Sequence, residues 1–216
     1  MSLQIALLLG QDGMTSGAIY ALLALSIVLV FTVTRVLLVP QGEFVTFGAL
    51  TLAALQAGQP ARLAWLLLGL AAAVALQRAW QWQRGSGPAL RWSDAGPLAY
   101  AGLMLALALG ASAAAAQWPL PLQLAFTLAL VVPLGPWLYD LCFRPIASAP
   151  GLVLLIVSIA LHVVLVGLAL LMFGAEGART QPFSEDGLVL GPVRLNAQTL
   201  WVLAATLALI LGLALY

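Results

Sequence analysis

Residues 21–30 and 203–215 carry no ionisable side chain and are apolar on every helical face. A segment of this kind has no polar side to turn toward water. Crossing a bilayer as an α-helix takes roughly 20 such residues in a row. The pattern recurs along the chain, and seven spans are read at 14–34, 44–57, 63–79, 97–116, 122–139, 152–173 and 197–216. Charged residues make up only 7% of the 216 positions and hydrophobic ones 63%. A soluble domain carries about a quarter charged residues, so this chain could not cover a water-facing surface. Strands of a transmembrane barrel would alternate apolar and polar positions, and these runs do not. The expected fold is therefore all-α: one polytopic transmembrane helix bundle over residues 1–216, with no strand contribution to the membrane.

The spans are not equivalent. The second is short enough to be a broken or partly re-entrant helix, and backbone breaks at membrane depth are tolerated only against protein or a water-filled cavity. In the fifth, Pro133 and Pro136 flank Gly135 and should kink the helix or end it early. The connections 81–96 and 174–196 hold most of the remaining charges, with Gly-Pro and Asp-Gly steps that mark turns. All eight basic residues are arginines. Seven crossings with the N-terminus outside place Arg35, Arg78, Arg84, Arg91 and Arg144 inside and Arg62, Arg179 and Arg194 outside, the bias that cytoplasmic loops show. With a net charge of +1 no basic surface points to nucleic acid. The single cysteine, Cys142, excludes an intrachain disulfide and a cysteine-based zinc site.

Several polar or small residues stand out within the apolar background. Gly13 and Gly17 form a G-x-x-x-G pair that Ala21 and Ala24 continue on the same helical face. Such a face lets two helices approach closely, and Tyr20 on a neighbouring face offers a hydroxyl. Pro40-Gln41-Gly42-Glu43 joins the first two spans at a Pro/Gly break. An acid at the centre of a membrane helix costs about 2.5–3.5 kcal/mol on insertion scales and is usually paired or faces water. Arg35 is the partner the sequence offers to Glu43. His162 lies inside the sixth span and has two readings, a proton relay or a hydrogen bond to a neighbouring helix. Its own span holds no acid. Arg144-Pro145 follows the fifth span as a positive anchor at the cytoplasmic edge. The chain has no Walker motif, no H-E-x-x-H and no G-x-S-x-G, so neither a catalytic constellation, a metal nor a cofactor is expected.

The stretch Asp12-Gly13-Met14-Thr15-Ser16-Gly17-Ala18-Ile19-Tyr20-Ala21-Leu22-Leu23-Ala24-Leu25 resembles the opening of branched-chain amino-acid (LIV-type) ABC transporter permeases. Val39-Pro40-Gln41-Gly42-Glu43-Phe44, followed by Gly48-Ala49-Leu50, is similar to the loop and small-residue helix that come next in that family. Phe143-Arg144-Pro145-Ile146 is similar to its Y-R-P-L segment at a cytoplasmic helix end, and Ile156-Val157-Ser158-Ile159 fits the helix after it. Two spans around 63–116 are an extra helical pair that the family pattern lacks, and Pro40, Gln41, Tyr139 and Asp140 depart from it.

The resemblance implies a permease subunit that works with a second permease, cytoplasmic ATPases and an external substrate-binding protein in a bacterial inner membrane. It implies import of branched-chain or related amino acids. Gly17, Tyr20, Gln41, Gly42 and Glu43 are then the expected pathway residues, Gly13, Gly17, Ala21 and Ala24 the helix-packing face, and Arg144 and Pro145 the cytoplasmic interface. It also implies a continuation beyond Tyr216 into an ATPase-docking loop and further helices. The competing reading is a membrane assembly or scaffold subunit that transports nothing.

Overall fold

The computed structural model describes residues 3–84, 95–110, 112–181, 187–190 and 193–214. Arg91 and Tyr216, named in the sequence analysis, lie outside them, as do Asp94, Glu185 and Asp186 of the two connections. The protein is predominantly α-helical. Four helices are long and apolar enough to cross a membrane: Leu9–Thr34, Leu63–Gln83, Leu120–Ile146 and Gly151–Phe173. Two more apolar helices, Gly96–Gly110 and Gln198–Gly212, are shorter. The chain divides into two compact units, Met1–Arg35 with Gln181–Tyr216, and Val36–Thr180.

In the first unit α1 (Leu3–Thr34) runs for 32 residues, beginning well before the expected start at residue 14. Arg35 closes it with φ of +57°, and its N–H donates to the Phe31 carbonyl at 2.8 Å, so a left-handed residue caps the helix. Strands β1 (Gly187–Leu190) and β2 (Val193–Asn196) form an antiparallel hairpin with Leu190 opposite Val193. This hairpin is the one departure from an all-α fold among the described residues. It uses the loop that the sequence reading left as turns. The last helix of this unit, Ala197–Ala214, packs on α1, where Gln11 Nε2 donates to Thr199 Oγ1 at 3.1 Å.

The second unit holds the core. Here α2 (Gln41–Gln56) starts after Pro40, and α3 (Leu63–Gln83) follows a turn at Gly58, whose φ is +69°. Then come α4 (Gly96–Gly110) and α5 (Ser112–Ala115), which cover the expected fourth span on either side of Ala111, a position outside the described residues. A Cβ on Gly58 would lie 3.9 Å from that of Ala116, and the Tyr100 hydroxyl donates to the Ala129 carbonyl at 2.7 Å. The first contact puts the end of α5 beside the turn that opens α3, and the second sets α4 against the α6 segment (Leu120–Val131).

The fifth span is a composite. Helix α6 (Leu120–Val131) carries Pro121 in its first turn, where a missing N–H is harmless. It ends before Pro133, and α7 (Leu134–Leu138), a π-helical turn (Tyr139–Phe143) and a 3-10 turn (Arg144–Ile146) complete the segment. The proline pair breaks the helix as its chemistry requires. Helix α8 (Gly151–Phe173) opens after Pro150 and stops at Gly174.

The core of this unit gathers Phe47, Leu55, Leu63, Leu67, Val74, Leu130, Leu134 and Phe143. Arg62 and Arg144 stand at opposite ends. Arg62 donates to the Met172 carbonyl at the close of α8, whereas Arg78 and Arg144 share Asp140 at the other end. Arg62 thus lies at one end of this unit and Arg78 and Arg144 at the other.

Candidate functional site

Helix α8 contains two polar side chains, Ser158 and His162, in 23 residues. Their i,i+4 spacing puts both on one face. That face receives the approach to α2. The Val39 N–H donates to Ser158 Oγ at 2.8 Å, and Ser158 is fully buried. One turn further along both segments, His162 Nδ1 lies 2.8 Å from Glu43 Oε1. The two contacts have the same register, so the chain enters α2 running alongside α8 in the same direction. Phe47 also meets this helix, out of that register, with its ring centroid 6.3 Å from that of Phe173.

The position along α8 is informative. His162 is eleven residues from Gly151 and eleven from Phe173, about 16 Å from either end at 1.5 Å per residue. In a helix that crosses a bilayer this is the middle of the hydrocarbon layer. Helix α2 begins near that level rather than at an end, with Pro40 and Gln41 buried beside it. It runs unbroken for 16 residues, shorter than the 23 of α8. Polar backbone at such depth needs protein or water around it, and Ser158 supplies one acceptor for it.

The pair is close but only half satisfied. The imidazole and the carboxylate are in close contact without an aligned hydrogen bond. Glu43 Oε2 is buried and accepts no hydrogen bond. Glu43 is mostly buried and His162 partly exposed, so the acid depends on the imidazole for a polar neighbour. Beside it lies a cavity of about 190 Å³, lined by Glu43, Thr46, Leu50, Val166, Ala169, Leu170 and Gly174. These residues descend from the exposed Gly174 end of α8 to Glu43, so the recess leads from one end of the unit to its mid-depth. No group of three or more metal-ligating side chains occurs among the described residues.

Glu43 is therefore paired with His162 within its unit, in the place for which the sequence offered Arg35. His162 meets a neighbouring helix through close contact with an acid, without an aligned hydrogen bond, which decides neither of its two readings. Of the expected pathway residues, Gln41, Gly42 and Glu43 form the first turn of α2, whereas Gly17 and Tyr20 belong to α1 in the other unit. Tyr20 is 71% exposed. Gly13, Gly17, Ala21 and Ala24 are exposed as well, and a Cβ built on either glycine meets nothing within 4 Å. The packing between α1 and the last helix uses the face of Gly10, Gln11 and Met14 instead.

Ser158 was missed as a site residue. The signal that could have found it is its i,i+4 relation to His162 on an otherwise apolar helix. No protein-family model, curated protein or solved structure matches the chain.

Proposed function

We propose that the protein is a permease subunit of an ATP-driven importer for branched-chain or related amino acids, multi-pass in a bacterial inner membrane, and that the recess between α2 and α8 is part of its pathway. The observation that carries this reading is the Glu43–His162 pair at the midpoint of α8, at the foot of a cavity that starts from one end of the unit. Substrate sites near the bilayer midplane, flanked by discontinuous helices, are the common device of membrane transporters. The motif resemblance over residues 12–50 adds the substrate class and the partners: a second permease, cytoplasmic ATPases and an external binding protein. Seven crossings with the N-terminus outside complete the proposal, and on it the Gly174 end of the recess faces outward.

The test is uptake of radiolabelled leucine into proteoliposomes that hold the protein as it occurs naturally with its partner permease, ATPases and binding protein. ATP-dependent uptake is expected, with at least a tenfold loss in Glu43→Leu. Uptake that proceeds equally without this chain would overturn the reading in favour of an assembly subunit.

A further inference from the structure

The end of the second unit opposite the recess concentrates cations at one level. Arg78 Nη2 lies 3.1 Å from Asp140 Oδ2, and Arg144 Nη1 lies 3.4 Å from Asp140 Oδ1. One carboxylate thus serves two guanidinium groups, and the trio keeps a positive charge. The Arg144 side chain is 68% exposed and makes a single long contact with that carboxylate, so most of its donors face outward. Arg84, at the close of α3, lies over the Trp80 ring at 4.6 Å from the centroid. Stacking of this kind occupies the face of the guanidinium and leaves its in-plane N–H donors unused. Among the described residues Asp140 is the one acid at this end.

Depth decides what these donors meet. From Leu63 at the start of α3 to Trp80 and Trp82 the helix rises about 26–29 Å, close to the ~30 Å thickness of a hydrocarbon core. Both indoles are more than half exposed. Tryptophans at this spacing sit at the headgroup level, and Arg84 and the π-helical turn that bears Asp140 lie with them. A cytosolic anion would meet these groups only after passing the headgroups. The phosphate of a lipid is already there.

We propose that Arg144, backed by the Arg78–Asp140 pair, and Arg84, on the Trp80–Trp82 girdle, each bind the headgroup phosphate of an anionic phospholipid. The guanidinium forks match phosphate oxygens in geometry and charge, and the indoles hold the acyl–glycerol boundary. The site does not depend on what the protein transports.

The test is native mass spectrometry of the full chain in detergent, titrated with phosphatidylglycerol or with phosphatidylcholine. The protein should retain phosphatidylglycerol preferentially. Near a membrane surface each basic residue contributes about fivefold to anionic-lipid binding, so the preference should fall in Arg84→Gln/Arg144→Gln, about fivefold for the lipid at each arginine lost, and stay unchanged in Arg62→Gln at the opposite end. Asp140→Asn, which releases two guanidinium groups from one carboxylate, should raise it. A structural role for these arginines would not produce that rise. Equal retention of the two lipids, an unaltered preference in the double variant, or displacement by soluble glycerol phosphate at matched phosphate concentration would overturn the proposal. The last of these would reveal a soluble-anion site instead. Loss of binding to a soluble protein partner in the double variant, with lipid preference intact, would equally overturn it in favour of a protein-docking surface.

Discussion

Glu43 and His162 each violate the apolar rule of their helices, and each relieves the other. Leaving a buried polar group without a partner costs about 1–3 kcal/mol, and Glu43, at 14% exposure beside the 40% of His162, is the member that would be stranded. We expect His162→Leu to destabilise the protein by about 2 kcal/mol, because it strands the carboxylate. In a Glu43→Gln background the same substitution should cost distinctly less, giving a coupling energy of about 1 kcal/mol. Denaturation of the four proteins in mixed micelles measures it. Additive effects would show that the two side chains are neighbours without interaction. Either residue alone is conspicuous in the sequence, and their needs are legible there: a membrane-embedded acid wants a partner. Its identity is not legible, because 119 positions separate the two and Arg35 lies much nearer along the chain.

At the scale of elements, α8 shows how local chemistry sets boundaries. Pro150 precedes it and cannot extend a helix backward, and Gly174 ends it with φ of +83° and ψ of −177°, a conformation essentially restricted to glycine. Gly174→Ala should therefore destabilise by about 1–3 kcal/mol, although a Cβ there meets nothing within 4 Å. Gly167 is equally uncrowded but sits in mid-helix, where Gly→Ala usually stabilises by about 0.5–1 kcal/mol. Opposite signs for these two substitutions in the same denaturation assay would separate backbone conformation from packing. Two losses of equal size would contradict the assignment. The breaks at Pro40 and Pro133 were readable from residue type. The continuation of the fifth span through a π-helical turn to Ile146 was not, since it depends on Asp140 turning toward Arg78 on another helix.

The whole molecule is arranged for an apolar solvent. Leu171 is 84% exposed and Val33 78%, while Thr51 and Ser158 are fully buried and Gln123 is 3% exposed. Water would favour the reverse, whereas lipid makes outward leucines neutral and drives polar side chains to one another. If α3 crosses the bilayer, the connections at its level must alternate in side. Single cysteines at the exposed Gln59 and Ser148, in a Cys142→Ala background, should react oppositely with an impermeant thiol reagent. Gln59→Cys should label in intact cells and Ser148→Cys only after permeabilisation. Labelling of both from one side would sink the seven-crossing arrangement.

Composition and periodicity by themselves determined a membrane-type helical protein, because a chain with so few charges has no water-compatible way to fold, and proline and glycine chemistry set many of the helix boundaries. The tertiary structure alone decided which polar groups meet. Desolvation tells that Glu43, Ser158, Asp140 and Arg78 each need a partner, and this requirement is local. Which partner answers depends on helices packed side by side in space, and apolar helix faces that differ little from one another carry almost no sequence record of that choice.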